Sequence, residues 1–323
     1  MHYIRPNSTT KVFATDSGLI DESGKVRYPF IKGAYRIAEG VSYADSFGFQ
    51  WNQFRRTQID GEITASIQSQ ERLLAVTGWD KQDLADAEVL EVGCGAGRFT
   101  RAVLETTKAK LFSVDYSNAV EACYANNEKF GDRLQIFQAS IYELPFAPRS
   151  FDRVFCFGVL QHTPDVERSL RCLCDMVKPG GELVVDFYPY KGWYTKVHAK
   201  YILRPLTKRL PQERLLGLIQ DNVGWMTRAT RFFDRVGVGK LVNRFIPVCD
   251  IRRTFPENLS EEELREWAVL DTFDMFSPAF DQPQRIADVA KRVAESGLNI
   301  TYAGYVPLGL HGEVAVVKGV RPK

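Results

Sequence analysis

Long apolar runs are missing from this 323-residue sequence. None approaches the ~20 residues of a membrane-crossing helix, and Met1-His2-Tyr3-Ile4-Arg5-Pro6 lacks the apolar centre of a secretory leader, so a cytoplasmic address is expected. Cysteine is sparse and scattered: the six, at positions 94, 123, 156, 172, 174 and 249, form no CxxC pair. Reduced, mostly buried thiols are the expectation. Histidine is scarcer still. The four, His2, His162, His198 and His311, have no ligand spacing with one another, and no metal is expected. Internal repeats and low-complexity tracts are absent too. With 45% hydrophobic residues the chain can bury one large core or two moderate ones.

Charge of one sign is scarce overall, with a formal net charge of +2, but not locally. Between Tyr190 and Phe255 fourteen Lys and Arg stand against four Asp and Glu, whereas Pro256 to Asp274 carries seven acids and one base. Three meanings fit the basic half: a solvated face balanced by the acidic run, recognition of an anionic ligand, or contact with an anionic membrane surface. Nucleic acid is not an expected partner, because no recognised RNA-binding module accompanies this nearly neutral chain.

What is present is concentrated at Glu91-Val92-Gly93-Cys94-Gly95-Ala96-Gly97-Arg98, where an apolar strand enters, three alternate glycines turn, and a helical pattern leaves. Glycines without side chains let backbone amides approach a ligand, and the following helix points its positive end at the same place. A dinucleotide loop has its third glycine at the sixth position. Here that position is Arg98, which favours a single nucleoside without a pyrophosphate. The segment Lys110 to Val114 ends at Asp115, about 20 residues past the glycines, where an acid can accept ribose hydroxyl protons. Leu134 to Gln138 and Phe151 to Gly158 read as further strands, the second apolar enough to be buried on both faces. A helix follows with Thr163 as its cap, Pro164 in the first turn, and Val166, Leu170, Cys174 and Val177 on one face. Pro179-Gly180-Gly181 stops it, and Glu182 to Phe187 is the next strand.

These elements divide the chain into an aromatic-rich arm (1–60), a nucleoside-binding core (61–188), a largely helical insertion broken by prolines (189–283), and a completing helix and antiparallel hairpin (284–323). The expected fold is α/β: a Rossmann-like, seven-stranded, mostly parallel sheet with helices on both faces. An insertion after the fifth strand lies where open parallel sheets bind ligands, as a substrate lid.

From about Val89 to Tyr188 the chain resembles the class I S-adenosylmethionine-dependent methyltransferases, in the group that includes quinone and small-molecule enzymes. The resemblance rests on the glycine loop, Val114-Asp115-Tyr116-Ser117, Leu144-Pro145-Phe146, Phe157-Gly158-Val159-Leu160-Gln161-His162-Thr163-Pro164-Asp165 and Val177-Lys178-Pro179-Gly180-Gly181, in that order. Tyr43 to Phe54 also resembles a subset of these enzymes, many of which carry a cysteine-rich zinc ribbon in front. Residues 1–42 contain no cysteine, so no such ribbon is present there.

The resemblance implies S-adenosylmethionine as cofactor, with Glu91 bracing the loop, Gly93, Cys94, Gly95 and Gly97 lining the methionine part, Asp115 holding the ribose and Tyr116 flanking the adenine. Ser140 stands where the family often has aspartate, with the Ile141 backbone as the alternative adenine contact. Phe157 and Gly158 would border the donor through their backbone. A base is needed only for a protonated acceptor. His162 is the candidate, with Asp186 and Tyr188 as rivals or partners, and Gln161 replaces a histidine that related enzymes often carry. The implied function is O-methylation of a sugar, glycolipid or hydroxylated small metabolite, the acceptor being anionic or lipid-linked if the basic run recognises it. The alternatives are C-methylation of a quinone-like aromatic at the inner membrane surface, and a non-catalytic cofactor-binding scaffold.

Overall fold

A computed structural model describes residues 3–38, 42–61, 68–79, 84–249, 260–309 and 312–323. His2, His311 and Pro256 lie outside them. The chain forms two compact units, Met1–Pro189 with Phe280–Val306 and Glu313–Lys323, and Tyr190–Ala279 with Pro307–Gly312.

In the first unit, short strands β1 (Tyr3–Ile4), β2 (Lys11–Thr15), β3 (Gly18–Ile20), β4 (Val26–Ile31) and β5 (Ala34–Arg36) precede helices α1 (Asp45–Gln53) and α2 (Gln68–Thr77). An alternation of strand and helix follows: β6 (Glu88–Val92), α3 (Arg98–Thr106), β7 (Lys110–Asp115), α4 (Ala119–Asn127), β8 (Leu134–Gln138), β9 (Phe151–Cys156), α5 (Val166–Met176) and β10 (Val177–Phe187). After the second unit, whose four helices α6 (Ala199–Thr207), α7 (Gln212–Arg235), α8 (Gly239–Val242) and α9 (Glu261–Phe276) are described below, come α10 (Ile286–Glu295), β11 (Asn299–Leu308) and β12 (Gly312–Val320).

Seven strands run in the order β8-β7-β6-β9-β10-β12-β11, with β8 to β10 parallel and β12 antiparallel to β10. Side-chain alternation explains helices on both faces. Val89 joins Leu73, Val76 and Val103 from α2 and α3, while Leu90 and Val92 join Leu170, Leu173, Val289 and Val293 from α5 and α10.

The sheet has twelve strands rather than the expected seven, because residues of the aromatic arm extend it beyond β8. Tyr35 of β5 pairs with Phe137 of β8 in parallel, and their rings stack at 5.1 Å. Tyr3 and Phe146 close on the same Phe137 ring at 5.8 and 5.0 Å. Large rings give short strands enough apolar area to cover an edge that would otherwise template pairing with other chains.

Two local boundaries also differ from expectation. Thr163 does not cap α5: its hydroxyl bonds back to Leu160 O (2.8 Å) and closes the turn before the helix. Asp165 is the cap instead, accepting from the Arg168 amide at 2.9 Å. Val177 opens β10 rather than ending α5, and a register shift between Val177 and Glu182 absorbs Pro179-Gly180-Gly181.

The second unit is helical, with α6 (Ala199–Thr207), α7 (Gln212–Arg235), α8 (Gly239–Val242) and α9 (Glu261–Phe276). Ser260 and Glu263 close a capping box at the start of α9. The buried Arg204 guanidinium ties α6 to α9 by donating to Met275 O from Nε at 3.1 Å and from Nη2 at 2.5 Å.

Candidate functional site

Strand order reverses across β6, so the loops after β6, β7 and β9 open at one end of the sheet, the usual ligand end of an open parallel sheet. Gly93, Gly95 and Gly97 have φ of 87°, 52° and 84°, a region costly for residues with a side chain. Neighbours are also too close for one: a Cβ on Gly93 would lie 2.1 Å from Val159 Cγ2, and one on Gly97 2.3 Å from Asn127 Nδ2. Trp51 Nε1 would be 3.0 Å from a Cβ on Gly95, which brings α1 over the loop.

The amides of Gly93, Cys94, Gly95 and Gly97 bond within the protein. Gly93 N and Cys94 N donate to Val114 O (2.7 and 3.1 Å), and Gly95 N donates to Asp115 Oδ2 (2.9 Å). Alternate glycines therefore serve the bends and close packing. The Asp115 bond makes loop and β7 one rigid corner. Ser117 donates to Asp115 Oδ1 through both its amide (2.8 Å) and its hydroxyl (2.7 Å). Burial pushes the Asp115 carboxyl up, opposed by those bonds.

Glu91 lies in β6, two residues before Gly93. Its Oε2 accepts the hydroxyls of Thr100 (2.5 Å) and Ser113 (2.9 Å), tying α3 to β7. Complete burial raises its carboxyl from 4.5 to about 7 against those two bonds. The folded protein thus holds this proton more tightly than the unfolded chain does. Its stabilisation is fully present below the unfolded pKa and is lost as pH rises through about 7. The difference corresponds to about 3 kcal/mol at most. Glu91→Gln should therefore flatten the fall in stability between about pH 4.5 and about pH 7, read from denaturant melts; equal slopes in parent and variant would contradict it. Cys94 is buried beside Cys123, and burial pushes its thiol well up, which removes it as a nucleophile at neutral pH.

Ser140 and Ile141 are buried at the end of β8, with Ser140 Oγ accepting from the Tyr142 amide at 3.2 Å. Tyr116 lies 5.2 Å from the ring of Tyr43. Phe157 packs edge-on against Phe99 at 5.3 Å. Gly158 has φ of 71° and nothing within 4 Å of the place of a Cβ, so the backbone after β9 borders open space.

The three candidate bases separate. His162 and Tyr188 come together, their rings 5.6 Å apart and edge-on, with Phe47 of α1 on the histidine at 5.0 Å. His162 Nδ1 is 2.9 Å from Phe280 O. A carbonyl only accepts, so Nδ1 carries the proton in the neutral ring and Nε2 the basic lone pair. Asp186 is elsewhere. Its Oδ1 accepts the Gly158 amide, its Oδ2 accepts Arg72 Nη2 at 2.5 Å, and it is 1% exposed. Gln161 is fully buried, with Oε1 accepting from the Tyr188 amide at 3.4 Å.

Sequence reasoning missed Arg72. It reaches Asp186 across 114 positions and lies over the Phe99 ring at 5.4 Å, and its buried Nε has no hydrogen-bond partner among the described residues. No local pattern in α2 marks it. Trp51 and Phe47 were readable only as part of a resemblance, since i, i+4 aromatics on a helix look like ordinary core.

Residues 90–185, less than a third of the chain, match the family described as "Methyltransferase domain". Among curated relatives, an uncharacterized protein of Synechococcus sp. is 25% identical over 69% of this chain and 49% of its own length. A ubiquinone biosynthesis O-methyltransferase of Saccharophagus degradans is 26% identical over 40% of this chain and 56% of its own. A tRNA U34 carboxymethyltransferase of Nautilia profundicola is 31% identical over 54% of this chain and 50% of its own. The chain spans about half the length of these relatives.

Proposed function

Residues 90–185 are a class I S-adenosylmethionine-dependent methyltransferase domain, and on that premise we propose that the protein methylates a hydroxyl of a sugar, glycolipid or other hydroxylated small metabolite. Bound S-adenosylmethionine supplies a methyl carbon activated by a sulfonium leaving group, so orientation and exclusion of water carry much of the rate. The residues present suit that cofactor. Asp115 Oδ2, beside the glycine corner, is an acceptor for a ribose hydroxyl, and the Nε of Arg72, without a hydrogen-bond partner among the described residues, is a donor for the amino-acid carboxylate. Gly158 borders the same region with its backbone.

The observation that carries the hydroxyl reading is His162, buried between Phe47 and Tyr188 with its proton fixed on Nδ1 by Phe280 O. A ring so held can take an acceptor's hydroxyl proton at Nε2. Among the relatives, the Saccharophagus protein is named as an O-methyltransferase, which agrees with this reading. Untargeted mass spectrometry of metabolites and glycolipids from a deletion strain tests it. A species lighter by one methylene, which the purified protein methylates on oxygen, is expected; methylation on carbon would overturn it.

The reading includes peripheral contact with an anionic membrane, supported by the fourteen basic residues between Tyr190 and Phe255. No helix among the described residues is long and apolar enough to cross a membrane.

Asp115→Ala should weaken S-adenosylhomocysteine binding by about 1.5–3 kcal/mol, the worth of hydrogen bonds to a charged acceptor. Part of the loss comes from the freed Gly95 amide. Unchanged affinity in a folded variant would reduce Asp115 to a turn residue.

A further inference from the structure

Exposed apolar surface is concentrated in the helical unit. Of the nineteen large apolar side chains exposed among the described residues, thirteen lie between Trp193 and Phe245, inside the basic stretch. Soluble monomers rarely gather so much in one region without a use for it.

Helix α7 orders part of this surface. Its buried row, including Leu215, Ile219, Val223 and Met226, is the face of a helix packed on α9. A second row is Leu218, Trp225, Phe232 and Val236, the last at the C-terminal cap, and these are 54%, 53%, 59% and 53% exposed. Asn222 and Ala229 fill the intervening positions, so the spacing alternates between four residues and three. That repeat makes a continuous seam. At 1.5 Å per residue it runs roughly 27 Å. Arg214, Arg228 and Arg235 border it at multiples of seven residues, with Asp221 the one acid in that row.

We propose that this seam of α7 docks on the surface of an anionic lipid bilayer, the aromatic and aliphatic side chains entering the interface and the arginines meeting lipid phosphates. The inference rests on the membrane part of the proposed function and assigns it a surface. A helix fixed by one apolar face, with a second bordered by arginine, has the composition of an interfacial helix, and arginine stems add apolar contact beneath their charges. A second copy of the chain is the poorer occupant, because a border that is arginine at three of four positions would meet its own like.

The full chain is sedimented with vesicles of phosphatidylcholine, and with vesicles of phosphatidylcholine mixed with phosphatidylglycerol. The parent should pellet with the mixed vesicles only. Trp225→Glu with Phe232→Glu should lower partitioning about a hundredfold, as expected when two large apolar side chains no longer bury. Arg228→Ser with Arg235→Ser should lower it about thirtyfold, the equivalent of about 1 kcal/mol for each charge, and less as salt rises. Because these positions are exposed, both variants should keep the parent's melting temperature and S-adenosylhomocysteine affinity, and the arginine pair serves if the glutamate pair does not fold. Parent binding with both variants equal to the parent would overturn the seam and leave the membrane reading standing. Failure of the parent to bind either vesicle would overturn both. A parent dimer in sedimentation equilibrium that Trp225→Glu disperses, without vesicle binding, would overturn the lipid assignment in favour of a second copy.

Discussion

His162→Ala should lower kcat by about 10²–10⁴ on the acceptor that a deletion strain accumulates, while S-adenosylhomocysteine affinity stays at the parent's value. The two halves of that expectation come from one geometry. Phe280 O holds Nδ1–H at 2.9 Å and so presents Nε2 as the basic atom, and the imidazole belongs to the Phe47 and Tyr188 wall rather than to the glycine corner. A base acts on the acceptor's proton in the transition state, so its loss falls on kcat and not on cofactor binding. Full activity in a folded variant would mean that the acceptor needs no base here, and that His162 only packs.

Arg72→Ala should cost about 2–4 kcal/mol of stability, somewhat below the range for breaking a fully buried ion pair, because Arg72 itself is 26% exposed while Asp186 is 1% exposed. The cost lies in the carboxylate left behind. Asp186 would keep the Gly158 amide on Oδ1 but lose the only charge paired with Oδ2 among the described residues. Adding Asp186→Asn to Arg72→Ala should therefore restore part of the stability, since a neutral amide can still accept from Gly158 and has less to lose on burial. Binding should fall with stability, because Gly158 borders the open space and Arg72 Nε is the donor assigned to the cofactor's carboxylate. Additive effects in the double-mutant cycle would contradict the coupling; unchanged S-adenosylhomocysteine affinity in Arg72→Ala would contradict the donor.

The central sheet was legible because each of its signals is local. An apolar run, alternate glycines and an acid about 20 residues on are contiguous patterns, and each strand from Glu88 to Phe187 carries its own. The two joints around α5 were misread, since Thr163 and Asp165 are both good caps and only the bond from Arg168 N distinguishes them. The five N-terminal strands escaped because β4 is mostly exposed and the others are two to five residues long, too short for alternation to register. What joins them to β8 is the packing of rings more than a hundred positions apart.

In the site, legibility followed the same rule. Asp115 and the glycines stand in contiguous motifs, and the amides of Gly93, Cys94 and Gly95 bond to Val114 and Asp115. Asp186 was found as a carboxylate at a strand end, but its partner decides its role, and Arg72 has no sequence neighbour that announces it. The α7 seam was obscured by the second apolar row on the same helix. Two superposed periodic patterns read as one broad apolar helix until burial separates them.

Isothermal titration of the purified protein with S-adenosylhomocysteine and with NAD, for the parent and for Asp115→Ala, tests the single-nucleoside corner directly. Saturable S-adenosylhomocysteine binding that Asp115→Ala weakens at least about tenfold, with no heat from NAD, is the expected result. NAD binding without any response to S-adenosylhomocysteine would contradict it.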